Sequence, residues 1–172
     1  MPQIIIIAGP NGAGKTSFAN KHFEKPRAGL TYLNADEIAR DLTAAGLPQA
    51  QRDMRAGKEM LRHMDALAAA GASFMFETTL ASLTYVRKIA TWRKRGYAVG
   101  LIYLRLPNVE MSVERVHRRV AQGGHGIPET VIRQRFAKSA DYFDRHYKGI
   151  VDEWYVWDSL EGAFRQAEAW ND

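Results

Sequence analysis

The residues Gly9-Pro10-Asn11-Gly12-Ala13-Gly14-Lys15-Thr16 fit the pattern G-x-x-x-x-G-K-[ST] at every fixed position. Each residue type has a physical task in holding phosphate. Glycines let the backbone turn sharply, so that its N–H groups converge on phosphate oxygens. A helix that starts immediately afterwards adds the positive end of its dipole. Lys15 is expected to reach the β- and γ-phosphates as a point charge, and Thr16 to ligate Mg²⁺ through its hydroxyl. With Ser17, residues 9–17 form the expected nucleotide-binding loop. No N-K-x-D element that would read guanine is present, so ATP is the expected nucleotide.

Further along lie three groups with chemical potential. Asp36 and Glu37 follow the stretch TYLN. A carboxylate there could accept the proton of a substrate hydroxyl during phosphoryl transfer. Equally, Asn34 or Asp36 could cap the helix that follows. Glu77, Thr78 and Thr79 end the stretch SFMFETT. Glu77 could hold Mg²⁺ or its water, or bond substrate hydroxyls, while Thr78 and Thr79 offer further polar contacts. Thr79 or Ser82 could instead cap the next helix. Finally, Arg115, Arg118, Arg119, Arg133 and Arg135 flank the segment QGGHGI. This spacing suggests a lid over about 115–135 that brings arginines to the transferring phosphoryl group. The alternative for each arginine is a surface ion pair with Glu110, Glu114 or Glu129. His125, between glycines, could touch ligand or cap a turn.

The elements that must position these groups follow from patterning. Gln3 to Ala8 is a β-branched run, typical of a strand buried on both faces. Further strands are expected at 31–34, 73–77, 98–104 and 153–157. Helices are expected at 17–23, 35–44, 48–71, 84–95, 109–121, 128–147 and 160–170. Alternating strands and helices predict a three-layer α/β fold, with a parallel five-stranded sheet between helices and right-handed crossovers. The aromatic-rich tail, from Tyr142 to Trp157, reads as core.

Length and composition agree. The 172 residues fit one domain, 1–172. There is no cysteine, which excludes disulfide scaffolds, zinc ribbons and thiol nucleophiles. The first apolar run is far shorter than the about 20 residues that span a bilayer. No signal-peptide pattern is present, so the expected location is cytoplasmic, with no membrane partner. The net charge of +5 suits a phosphorylated small molecule or a polyanion. Aromatics are not interleaved with the basic cluster, which argues against nucleic acid.

The segments GPNGAGKTS, YLNADEIAR, FMFETTL and RVHRRVAQGGHGIPETVIRQRF, in this order, resemble the short zeta-toxin-like P-loop kinases over about residues 3–159. The resemblance implies sheet order 2-3-1-4-5, a helical lid and ATP–Mg²⁺ as phosphoryl donor. It implies a small-molecule acceptor, with UDP-N-acetylglucosamine the acceptor of the well-studied toxins. In that family an aspartate 21 residues after the loop lysine is the general base, and Asp36 stands 21 residues after Lys15. The resemblance likewise puts Glu77 and Thr78 on the substrate side, and Arg119 and Arg135 on the phosphates. It also raises an antitoxin protein as a partner. Against that partner, this sequence enters its first strand at residue 3, without the N-terminal structure that the toxins use for the contact. A polynucleotide 5′-hydroxyl kinase and a non-catalytic nucleotide switch are the competing readings.

Overall fold

A computed structural model describes residues 1–23, 30–42, 46–124 and 126–171. His125 lies outside the described residues. Strand β1 (Gln3–Ala8) leads through the glycine loop into helix α1 (Lys15–His22). There follow β2 (Leu30–Leu33), α2 (Ala35–Asp41), α3 (Gln49–Ala69), β3 (Ser73–Thr78), α4 (Thr84–Lys94) and β4 (Ala98–Arg105). Then come α5 (Val109–Ala121), α6 (Glu129–Tyr142), β5 (Glu153–Leu160) and β6 (Ala163–Ala169).

The sheet order is β2-β3-β1-β4-β5-β6. The first five strands are parallel and stand in the expected order. β1 lies between β3 and β4, so the strand order reverses direction beside it. In open parallel sheets that reversal marks the ligand crevice, beyond the carboxyl ends of the strands. The isoleucines of β1 explain its central place. Ile4 and Ile6 pack on one face with Phe74, Phe76, Val99 and Leu101. Ile7 packs on the other with Phe18, Met75 and Leu104. Burying each such side chain favours folding by about 1.5–3 kcal/mol.

The C-terminal end differs from expectation. Residues 160–170 do not form a helix; 163–169 form β6, antiparallel to β5. The sheet is therefore six-stranded and mixed. Leu160 pairs with Ala163 across the two-residue turn Glu161-Gly162, and Gly162 takes the left-handed φ of +73° that such a turn needs. Ladder pairing with β5 outweighs the helical preference of the Ala, Gln and Glu in this segment. The helix expected through residue 147 also changes. α6 gives way to a π-helical turn at Phe143–Tyr147, where Phe143 and Tyr147 are buried. Tyr142, Phe143, Tyr147 and Trp154 belong to the core or pack on it, as the aromatic tail suggested.

Among the described residues, no helix is long and apolar enough to cross a membrane.

Candidate functional site

The glycine loop stands between β1 and α1. Three of its glycines are forced. Gly9, Gly12 and Gly14 all take positive φ, at +146°, +78° and +80°. Close neighbours add a second constraint. A Cβ on Gly9 would stand 2.4 Å from the Leu104 carbonyl oxygen, and one on Gly12 3.0 Å from Arg115 Cβ. Gly14 ends the loop as the N-cap of α1. The first N–H groups of that helix have no intrahelical acceptor and open towards the crevice end of the sheet.

The loop is braced from three sides. Gly9 N–H donates to the Thr78 carbonyl of β3 at 3.2 Å. The buried Ser112 hydroxyl of α5 donates to the Asn11 carbonyl. Arg115 donates to the Gly12 carbonyl at 3.3 Å and to the Ser159 hydroxyl at 2.8 Å. The edge of Phe164, on β6, stands over Gly14 and also meets the Phe18 ring edge-on, with centroids 5.1 Å apart.

Lys15 folds back over this loop, with Nζ donating to the carbonyls of Gly9 and Pro10 at 2.9 and 3.0 Å. Burial pushes its pKa down to about 8; the carboxylates of Glu77 and Asp36 oppose the shift, and Arg119 and Arg135 add to it. Thr16, one residue on, donates its hydroxyl hydrogen to Glu77 Oε2 at 3.1 Å. Glu77 is the junction of the site. It also accepts from the Tyr32 hydroxyl. Burial raises the Glu77 pKa, against the opposing pull of Tyr32, Lys15 and Thr16. Burial and the Glu77 carboxylate in turn raise that of Tyr32.

The capping alternative at α2 is decided by Asn34. Its side-chain oxygen accepts from the Asp36 N–H at 2.9 Å. The Asp36 carboxylate is therefore not the cap, and it lines the cavity that Lys15, Thr16 and Glu77 also line. Asn34 Nδ2 further reaches the Thr16 and Tyr32 hydroxyls, at 3.5 and 3.4 Å.

Thr78 and Thr79 sit in a strained turn at the end of β3. Buried Leu80 has φ of +54°, a left-handed conformation rare outside glycine. The Thr78 and Thr79 hydroxyls accept from the Leu80 and Ala81 N–H groups, at 3.1 and 3.5 Å. Both threonines line the cavity. At the next helix Ser82, not Thr79, supplies the first-turn acceptor, taking the Thr84 N–H at 3.4 Å.

The five arginines part company. Arg119 and Arg135 line the cavity. Arg118 pairs instead with Glu114 and Glu161, and Arg133 with Glu110 and Glu129, in exposed ion pairs. Arg115 is tied to the loop and to Ser159, which fastens the start of the expected lid to the sheet. Gly123 and Gly124 act as a helix stop. Their N–H groups donate back to the Val120 and Arg119 carbonyls, both at 2.9 Å, with φ of +85° at Gly123. Farther round the segment, Gln49 of α3 donates to the Gly126 carbonyl at 2.8 Å, joining the two walls.

The open cavity so bounded has a volume of about 1450 Å³. Motif reading missed Tyr32, and it weighed Asn34 only as a cap and not for its contacts with Thr16 and Tyr32. Both stand in the stretch TYLN, where alternation along β2 followed by a capping residue was the available signal.

The family model described as an AAA domain matches residues 4–146. The chain belongs to the AAA domain family. β5 and β6 lie beyond the matched residues. An uncharacterized protein of Haemophilus influenzae is 27% identical over 136 residues, 78% of this chain and 92% of that protein. A chain of the AvrRxo1-ORF1:AvrRxo1-ORF2 structure with ATP superposes with a TM-score of 0.77 at 18% identity, covering 98% of this chain and 58% of that one. A structure of the PezAT toxin-antitoxin system of Streptococcus pneumoniae gives a TM-score of 0.70 at 14% identity, over 100% of this chain and 73% of that one. The Pnkp1/Rnl/Hen1 RNA repair complex gives 0.66 at 21% identity, over 84% and 46%. This chain thus spans about half the length of the first of these structural neighbours. The shared architecture is that of a P-loop kinase-like domain.

Proposed function

We propose that this protein is an ATP-dependent small-molecule kinase of the zeta-toxin type. It transfers the γ-phosphoryl group to a hydroxyl of a sugar nucleotide similar to UDP-N-acetylglucosamine. One observation carries the reading: Asn34 caps α2, which leaves the Asp36 carboxylate to a cavity it shares with Lys15, Arg119 and Arg135. A nucleotide switch needs the phosphate loop but no base beside it.

Residues 9–17 cradle the triphosphate, with Lys15 leaving the loop carbonyls for the β- and γ-phosphates. Asp36 takes the proton of the acceptor hydroxyl as its oxygen attacks phosphorus; ADP leaves from the opposite side. Arg119 and Arg135 neutralise charge that develops on the transferring group. Thr16 and Glu77 offer hard oxygen ligands, which fit Mg²⁺. Mg²⁺ bound there would shield the phosphate charge. Glu77, Thr78 and Thr79 face the acceptor. Such a kinase works on a metabolite pool in the cytoplasm, and an antitoxin-like protein is a candidate partner.

The test is ATP turnover with Mg²⁺ against UDP-N-acetylglucosamine, free sugars, nucleosides and short oligonucleotides, with products read by mass. One added phosphoryl group on the sugar nucleotide supports the reading. The same gain on an oligonucleotide 5′ end moves the protein to the polynucleotide-kinase class. Asp36→Asn is expected to bind ATP and lose transfer; full turnover by that variant sinks the base assignment.

A further inference from the structure

Gly57 stands in the interior of α3 and lines the cavity. None of the usual reasons for a glycine applies to it. It is not among the glycines with positive φ, so its backbone does not demand one. It is far from both ends of the 21-residue helix, so it is not a cap. Apart from its chain neighbours and the backbone of its own helix turns, no atom of the described residues lies within 4 Å of where its Cβ would be, so no packed neighbour excludes a side chain. Glycine inside a helix is nevertheless less favourable than alanine. The loop glycines make the contrast plain, since Gly9, Gly12 and Gly14 each have both positive φ and a neighbour within 3.3 Å of the added carbon.

What the missing side chain leaves is open space in a cavity wall. The helix buries Ala56, Met60 and Met64, and Asp53, Gly57 and Leu61, four residues apart, line the cavity together with Met60. α3 also packs on α2, which carries Asp36. The cavity volume of about 1450 Å³ exceeds the roughly 300–1,000 Å³ of single-ligand pockets, which leaves room for a second ligand beside ATP. Lys58 of α3 and Lys138 of α6 line it too, cations suited to an anionic substituent.

We infer that Gly57 is a specificity-determining position of the acceptor site, where the bare α3 backbone receives the ring of a phosphate-bearing sugar. The inference rests on the kinase reading above. An added side chain projects into the space that the ring occupies, so it acts on acceptor binding and not on the nucleotide.

Gly57→Ala and Gly57→Leu separate this role from a merely structural one, because both replacements favour the helix. Melting temperature, ATP affinity, and KM and kcat for UDP-N-acetylglucosamine are measured for each. The leucine variant is expected to raise the acceptor KM by about tenfold or more, with alanine intermediate. Melting temperature is expected to hold or rise, and ATP affinity to stay at the wild-type value. Should the leucine variant fold poorly, the alanine variant decides. Wild-type acceptor KM in a well-folded variant overturns the inference and leaves the kinase standing. Wild-type protein that binds ATP yet phosphorylates no acceptor in the panel overturns the kinase reading, and this inference with it.

Discussion

Arg118 and Arg119 are neighbours in sequence, yet they serve different surfaces. Arg119 is half-buried and lines the cavity, whereas Arg118 is exposed between two glutamates. The same division recurs on α6. Arg135 is half-buried and faces the cavity, while Arg133 is held by Glu110 and Glu129. A step of one residue along a helix turns a side chain by about 100° and a step of two by about 200°. One basic cluster in the sequence thereby becomes a cavity face and a solvent face. The glutamates mark the second face, because an arginine engaged by two carboxylates has little charge left to offer a phosphate.

The sharpest way to break this comparison is to remove one arginine from each face. Arg119→Ala and Arg135→Ala are each expected to lower kcat by about 10³-fold, the scale of an arginine acting on a transferring phosphoryl group. Arg133→Ala is expected to change kcat by less than about twofold, because exposed ion pairs contribute little. Equal losses in a single-turnover assay would erase the distinction. A subtler test leaves every arginine in place. A Cβ at Gly124 would stand 2.6 Å from Arg119 Cγ and 2.8 Å from its carbonyl oxygen. Gly124→Ala is therefore expected to displace Arg119 and reduce kcat by roughly 10- to 100-fold, with ATP affinity little changed.

Arg115 also lines the cavity, but its guanidinium is spent on bracing the phosphate loop. Arg115→Ala is expected to weaken ATP binding by about tenfold, seen by titration calorimetry, through loss of the hydrogen bonds that hold Gly12 and Ser159. The smallest effect concerns an ion-pair cluster outside the cavity lining. Arg105, and then Arg165, hold the Asp158 carboxyl below its ordinary value of 3.8. A depressed folded-state pKa adds stability above the ordinary value and loses it as pH falls through the lower one. Arg105→Ala is thus expected to lose less melting temperature than the wild type between pH 5 and pH 3, by a few degrees at most.

Much of this molecule could be read from its residues, and for local reasons. The isoleucine run of β1, the glycine loop and the start of α1 are specified by side chains a few positions apart. The order of the parallel strands follows from alternation with helices. β6 escaped because the segment Ala163–Ala169 carries helix formers, and only the Glu161-Gly162 turn hinted that β5 would claim it as a partner. The division of the arginines was legible only in part: the resemblance singled out Arg119 and Arg135, and Glu110, Glu114 and Glu129 were the expected ion-pair partners, but Glu161 was not among them. The division depends on which glutamates α6 and the β5–β6 turn bring near, and those contacts lie up to 43 residues away in sequence. Asn34 shows a middle case: a capping residue was expected there or at Asp36, and the N–H geometry selects Asn34.

The β5–β6 hairpin has a practical consequence. Ser159 holds the arginine that braces Gly12, and Phe164 covers Gly14 and packs with Phe18. Ser159 and Phe164 lie beyond position 146, where the match to the family model ends. A clone trimmed to the recognised boundary would keep every motif residue and lose the wall behind them. The end of the family match and the end of the sheet do not coincide in this chain, so expression boundaries are better drawn after Ala169 than after His146.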